Sequence, residues 1–305
     1  VPEGHSVHRI ALQFERDFVG FPVAASSPQG RFAAGAAQLD GRTMQESIAV
    51  GKQMFLRFDG ERWLRIHLGI YGAWDFFGRI SPITPDSDVR GSMGAPRLRR
   101  AIRLAETEHV KDIELDEWPP VPIGAVRVRL ATAESVADLR GPTACEVLDP
   151  EQVQVVLDRL GPDPATDSGD DARDVFVERL RKSGKPVGLQ LMDQSIVSGI
   201  GNVYRAEMLF RARLNPHLPA KLVSVETARS LWGDWSYLLE IGIRTGLMLT
   251  METTDPEERA RAVSSRDDRH WVYKREGLPC RVCGTAILIE MMAGRKLYWC
   301  PSCQA

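Results

Sequence analysis

Apolar residues recur at Val7, Ile10, Ala11, Phe14 and Phe18, a spacing that lays one stripe along a helix over residues 4–19. Such a helix would begin just behind Pro2 and Glu3 and hold the start of the chain against a core. From residue 21 the period shortens, and residues 21–78 read as strands. The clearest pair is 54–58 and 63–68, alternating segments on either side of Asp59-Gly60, a turn dipeptide. Lys52 follows Gly51 just before this pair, at a loop mouth. Over 79–122 the pattern is lost. Pro82, Pro85, Pro96, Pro119, Pro120 and Pro122 bracket a stretch rich in Arg and Glu, which reads as an insertion with one short helix and much disorder. Alternation returns over 125–140.

Near residue 150 the pattern turns helical. Residues 160–164 form a loop, and short helices are expected around 175–180 and from Lys185-Pro186 through Met192, with proline at the start where a missing N–H costs least. A helix over 203–213 follows. Ser224 caps a later one whose apolar face is Leu231, Trp235, Leu238 and Leu239. Residues 250–269 are charged and aperiodic, expected as a mobile loop. Segments 286–290 and 295–299 would form a hairpin with Gly294-Arg295 at or near its tip.

The 305 residues are 43% hydrophobic and 26% charged, a globular composition with room for more than one domain. No apolar run is long enough to span a membrane, and no signal peptide is read at the start. These features lead to the expectation of a cytoplasmic protein. A net charge of −2 excludes a uniformly basic nucleic-acid coat, so any such contact must come from a local patch.

Cysteine usage changes the picture more. Cys280-x-x-Cys283, sixteen residues and then Cys300-x-x-Cys303 match a four-cysteine zinc ribbon, with every ligand position filled by protein and none left for a reacting water. One structural Zn2+ is expected, supplying folding energy to a segment with little core. Cys145 stands alone and reads as a buried structural thiol. Arg295, on the turn between the ribbon strands, suits a phosphate or is a solvated surface residue. The turn Ser198-Gly199-Ile200-Gly201-Asn202 places Asn202 at a helix start, where free N–H groups favour an anion; an ordinary helix cap reads the same way.

At the other end, Val1 in a bacterial chain would be an initiator residue removed ahead of the small Pro2. Pro2 would then carry a free secondary amine, nucleophilic near neutral pH because an α-amine titrates far below a lysine, with Glu3 beside it to move protons. With residue 1 retained, the nitrogen would be an inert amide. An ordinary terminus with Pro2 incidental is the other reading.

The combination is far more specific than its parts. An N-terminal Pro-Glu-Gly, Gly51-Lys52 before a hairpin, Gly199-Ile200-Gly201-Asn202 between helices and a terminal four-cysteine ribbon occur in that order. The chain resembles the Fpg/Nei family of DNA glycosylases, and within it the endonuclease VIII (Nei)-like branch of actinobacterial type, from Pro2 to Gln304. The resemblance implies an α+β, multidomain fold: an N-terminal catalytic β-sandwich with a leading helix over 1–145 (79–122 inserted), a helical domain with a helix–two-turn–helix DNA-binding motif over 146–269, and a zinc ribbon over 270–305, with DNA between sandwich and helices. It implies that Pro2 is the nucleophile, Glu3 the acid that protonates the sugar oxygen, and Lys52 a ligand of the phosphate beside the lesion. Asn202 and Arg295 would grip backbone phosphates, and Cys280, Cys283, Cys300 and Cys303 would hold the zinc.

One run departs from the branch. Where endonuclease VIII has Gln-Leu-Tyr to fill the hole left by a flipped base, this chain has Gly69-Ile70-Tyr71. Ile70 and Tyr71 can wedge and stack; Gly69 offers no side chain, which leaves opposite-base reading and duplex preference open. His5, often proline in relatives, is expected to face solvent. The expected activity is bifunctional: removal of oxidised bases, pyrimidines first, through a Pro2 Schiff base, then β,δ-elimination at the abasic site. The expected partner is damaged DNA and the expected state a monomer. Oxidised-purine excision, a non-catalytic damage-binding role on the same scaffold, and a zinc-ribbon protein of transcription or translation are the alternatives; the last leaves Pro2-Glu3 and the Gly-Asn turn unexplained.

Overall fold

The computed structural model describes residues 2–83, 100–104, 109–112, 118–167, 169–251 and 255–305. The chain divides into two units, Val1–Asp158 and Arg159–Ala305.

The first unit opens with helix α1 (Gly4–Asp17), followed by β1 (Pro22–Ser26), α2 (Ala33–Leu39), β2 (Arg42–Val50), β3 (Gln53–Phe58), β4 (Arg62–His67), β5 (Ala73–Gly78), β6 (Arg100–Leu104), β7 (His109–Asp112), β8 (Val126–Ala131), β9 (Ser135–Arg140), β10 (Ala144–Leu148) and α3 (Pro150–Leu157). The strands hydrogen-bond in the order β10-β4-β3-β2-β1-β8-β9-β5-β6-β7, all antiparallel. Only two residue pairs, Pro22↔Thr43 and Val23↔Arg42, join β1 to β2, so this is the seam between two half-sheets. Both halves feed one core: Leu56 and Leu64 come from one side, Trp74 and Leu139 from the other. This is the sandwich the family resemblance implies. The stripe of α1 completes it. Phe14 is fully buried, with ring centroids 4.9 Å from Phe18, 4.8 Å from Trp74 and 5.1 Å from Phe76, edge-on or tilted as aromatic quadrupoles prefer.

Two local expectations change, and the expected hairpin forms with its turn now defined. Residues 33–39 form a helix inside the run read as strands; they are mostly alanine, which favours helix without a marked stripe, and only Ala36 and Leu39 are buried. The hairpin at Asp59-Gly60 has a three-residue turn, because Phe58 pairs with Arg62 and both Gly60 and Glu61 take positive φ (70° and 58°). In the 79–122 insertion, β6 and β7 extend the sheet beyond β5 where a short helix was expected. The open edge of β5 supplies hydrogen-bond partners that local sequence does not reveal. The disorder expected there falls on residues 84–99, 105–108 and 113–117, outside the described residues.

The second unit holds α4 (Asp170–Arg181), α5 (Val187–Gln190), α6 (Asn202–Arg211), α7 (Val225–Thr245), α8 (Pro256–Ser264) and the strands β11 (Leu288–Met292) and β12 (Arg295–Trp299). Ser224 caps α7 by accepting from the Thr227 N–H at 3.0 Å, and Gly246 ends it at φ 73°. Leu231, Trp235, Leu238 and Leu239 are buried as the periodicity predicts. The stretch expected as a mobile loop contains α8, started by Pro256 and by the Asp255 carboxylate accepting from the Glu257 N–H at 2.9 Å. Only Ala262 of this helix is buried, so it has caps but no stripe. Among the described residues, no helix is long and apolar enough to cross a membrane.

Candidate nucleic-acid interface

Pro2 and Glu3 are buried at the head of α1, whose N-cap is Glu3. The Glu3 N–H donates to Ser6 Oγ at 3.1 Å and the Ser6 hydroxyl donates back to the Glu3 carbonyl at 2.8 Å. One orphan donor of the helix start, the Glu3 N–H, is thereby satisfied. The helix is anchored further down, where Ser47 Oγ of β2 donates to the Ala11 carbonyl at 2.9 Å. His5 corrects the sequence reading: it does not face solvent but is 1% exposed. The early turns of α1 also bury His8 and Arg9, so this helix has no outward polar face there. Burial, then the Arg9 guanidinium and His8, push the His5 imidazole down to about 3, which keeps it neutral.

Lys52 sits in the two-residue turn between β2 and β3, closed by the pair Val50↔Gln53. Gly51 takes φ 58° there, the positive value that such turns need at their first central position. Gln53 in turn pairs with His67, the last residue of β4. The Lys52 turn and the loop after β4 therefore share one end of the sheet. His67 itself was missed in the sequence, where it reads as one more alternating position; only the strand register puts it beside Lys52. Burial, then the charges of Lys52 and Arg65, lower its imidazole pKa, which favours the neutral ring there.

Ile70 and Tyr71 follow in the loop, 52% and 85% exposed. Gly72 N–H closes it on the Leu68 carbonyl at 3.0 Å. Gly69 takes φ 66°, and a Cβ built on it would lie 1.9 Å from Thr143 Oγ1. The position is thus not merely bare: a side chain there would require Thr143 to move.

In the second unit the Gly-Ile-Gly-Asn turn is held from several directions. Gly199 takes φ 93°, and its N–H donates to Gln194 Oε1 at 3.0 Å. Gln194 Nε2 donates to the Ile200 carbonyl at 3.0 Å, and Trp235 Nε1 reaches the Ser198 carbonyl at 3.2 Å. Asn202 is the first residue of α6 behind an N-cap glycine, Gly201. Its Nδ2 donates to the Lys296 carbonyl at 2.9 Å, so it meets the ribbon next to Arg295. Arg295 itself is exposed. It follows the tight turn Ala293-Gly294, both at positive φ, and pairs with Met292. Asn202 and Arg295 are brought together in this unit; Pro2, Glu3, Lys52, Ile70 and Tyr71 belong to the other.

The four cysteine sulfurs lie within 4.8 Å of one another, with Cys280–Cys303 at 3.9 Å and Cys283–Cys300 at 3.5 Å. A tetrahedron of thiolates around zinc has edges of about 3.8 Å, so the donor set and its spacing fit the ion. All four positions are protein, and the zinc is structural. Cys145 is only half-buried, and desolvation raises its thiol to about 12, which leaves it inert.

This arrangement has known counterparts over the whole chain. Residues 1–145 match the model of the formamidopyrimidine-DNA glycosylase N-terminal domain, 160–254 its H2TH domain, and 277–305 the zinc finger found in FPG and IleRS. The chain belongs to the Fpg/Nei family of DNA glycosylase/AP lyases, the family implied by its motifs. It is similar to Endonuclease 8 1 of Mycobacterium tuberculosis, 37% identical over 306 residues with both chains covered in full. To the formamidopyrimidine-DNA glycosylase of Prochlorococcus marinus it is 36% identical over 156 residues, 51% of this chain and 52% of that one. The fold is shared with Lactococcus lactis Fpg crystallised with DNA containing N7-benzyl-Fapy-dG (TM-score 0.71, 21% identity, 99% of each chain covered).

Proposed function

We propose that this enzyme excises oxidised pyrimidines from DNA and cleaves the resulting abasic site, with Pro2 as the nucleophile. The observation that carries the mechanism is the burial of Pro2-Glu3 at the capped head of α1, which pre-positions a terminal amine once residue 1 is removed. The pyrimidine assignment is supported by likeness to Endonuclease 8 1 over the full chain, against half the chain for the formamidopyrimidine-DNA glycosylase. The domain limits proposed are those of the motif reading, 1–145, 146–269 and 270–305.

The target nucleotide must leave the stack before C1′ can be reached, and weakly paired lesions do so at lower cost. The Pro2 nitrogen attacks C1′, and the glycosidic bond breaks as the base leaves with a proton. The sugar ring opens with protonation of its oxygen by Glu3, giving an iminium at C1′. That iminium acidifies the C2′ proton. Its loss expels the 3′ phosphate, a second elimination expels the 5′ phosphate, and water releases the sugar remnant from Pro2. Lys52 neutralises a phosphate beside the lesion, Asn202 and Arg295 each hold a backbone phosphate, and Ile70 and Tyr71 wedge and stack where the base has left. Zinc supplies ribbon rigidity and no chemistry.

Borohydride trapping tests this reading. Protein whose N-terminus is verified by intact mass is mixed with an abasic-site oligonucleotide, single-stranded and duplex, and reduced. A covalent complex is expected, lost in Pro2→Gly while DNA affinity persists. No complex from protein with a free Pro2 amine and bound zinc would reduce the role to damage binding. A lesion panel in which purines are cut faster would move the enzyme to the formamidopyrimidine side.

A further inference from the structure

Helix α6 grips the zinc ribbon at two places. At its first turn Asn202 Nδ2 and Arg205 both donate to the Lys296 carbonyl, at 2.9 and 3.1 Å, and Arg205 also donates to Asn202 Oδ1 at 2.6 Å. Further along, Glu207 is fully buried and both its oxygens are occupied. Oε1 accepts from the backbone N–H groups of Val272 (2.9 Å) and Tyr273 (2.8 Å); Oε2 accepts from the Trp271 N–H (2.7 Å) and the Thr250 hydroxyl (2.5 Å).

Three successive N–H groups converging on one anion form a nest, and hydrogen bonds to an ionised acceptor are the strong kind. This fixes the backbone of 271–273, the segment that leads into the ribbon. The grip passes onward through ring contacts: Trp271 stacks on Phe210 of α6 with centroids 5.6 Å apart, and Tyr273 meets Tyr298 of β12 edge-on at 5.1 Å. Arg295 is the first residue of β12.

We propose that Glu207 is a positioning residue for DNA-backbone recognition. By pinning residues 271–273 at the ribbon's root, while Asn202 and Arg205 pin Lys296 near its tip, it sets where Arg295 stands. A buried carboxylate is a poor choice for stability alone, since its desolvation is costly and an apolar side chain could fill the space. Its return is directional: it orders a backbone that apolar packing would leave free to slide. The proposal rests on the reading of Arg295 as a phosphate contact.

The test is a double-mutant cycle on zinc-loaded full-length protein, reading Kd and its salt dependence for a duplex with one abasic-site analogue. Arg295→Ala should weaken binding and lower the salt slope by about one. Glu207→Gln keeps the volume but turns an NH2 towards two of the four donors. It should weaken binding roughly threefold to tenfold, lower the slope likewise, and add nothing in the Arg295→Ala background. Additive losses, or no loss from Glu207→Gln, overturn the proposal while leaving the Arg295 reading intact. Wild-type binding by Arg295→Ala overturns both, and is recognised by that single variant. Should Glu207→Gln lose zinc, Thr250→Val removes one donor and leaves the carboxylate held by the other three. The same non-additivity with a smaller loss is then expected, and its absence overturns the proposal.

Discussion

The head of α1 and the tip of the ribbon hairpin both have to be rigid, and the chain makes them so by opposite means. Pro2-Glu3 rides on a helix sunk into a large apolar core, with Phe14 at the centre of an aromatic cluster. Arg295 rides on a two-stranded hairpin whose buried cluster is small, drawing on Ala206 and Phe210 of α6 and on two zinc-binding cysteines. There the fixing is done by a metal and by hydrogen bonds to buried polar side chains. A core is deep but tolerant of small movement. A metal and a nest define direction but fail abruptly. In the roles proposed above, a buried nucleophile calls for the first kind of support, and an arginine that meets a phosphate at one angle calls for the second.

Removing zinc should break the comparison most sharply. Ligation contributes about 10–16 kcal/mol in small zinc domains, far more than the ribbon's few buried side chains. Chelation should abolish amide protection over 277–305 and most DNA affinity, while unit 1 amides stay protected by hydrogen exchange. A ribbon still protected without metal would show that its packing suffices. Phe14→Ala is the converse: about 3–5 kcal/mol of unit 1 stability lost in denaturant unfolding, with zinc content unchanged. The smallest effect, about 2 kcal/mol at most between pH 7 and 5, is acid sensitivity at His5. Its folded pKa of about 3 lies below the ordinary 6.5, so between those values the unfolded state holds more protons. Stability should therefore fall as pH drops from 6.5 towards 3, by at most about 1.4 kcal/mol per pH unit. His5→Gln should flatten that slope in unfolding measurements at pH 7 and 5; an unchanged slope would place the acid sensitivity elsewhere.

The parts of this molecule that were legible in sequence are those whose signal is local. The α1 stripe, the Ser224 cap, the cysteine spacing and the alternation of β3, β4, β8 and β9 all translate directly, because period and ligand spacing are properties of the chain itself. What escaped depends on partners distant in sequence. The β6–β7 pair needs the edge of β5. His67 needs the register that sets it against Gln53, and Glu207 looks like any helical glutamate until residues 271–273 fold onto it. His5 was misread for a related reason: polarity suggested solvent, whereas the start of α1 is buried on its polar side as well. In α2 and α8 the stripe was absent: four of the seven residues in the one are alanine, and four of the nine in the other are charged.

Gly69 ties two loops together. Its φ of 66° is one that L residues adopt rarely, and a Cβ there would lie 1.9 Å from Thr143 Oγ1. A side chain at 69 is admitted only if the Thr143 hydroxyl turns aside. Residue 143 therefore acts as a doorkeeper: what the loop can present beside Ile70 and Tyr71 is set by a residue distant in sequence.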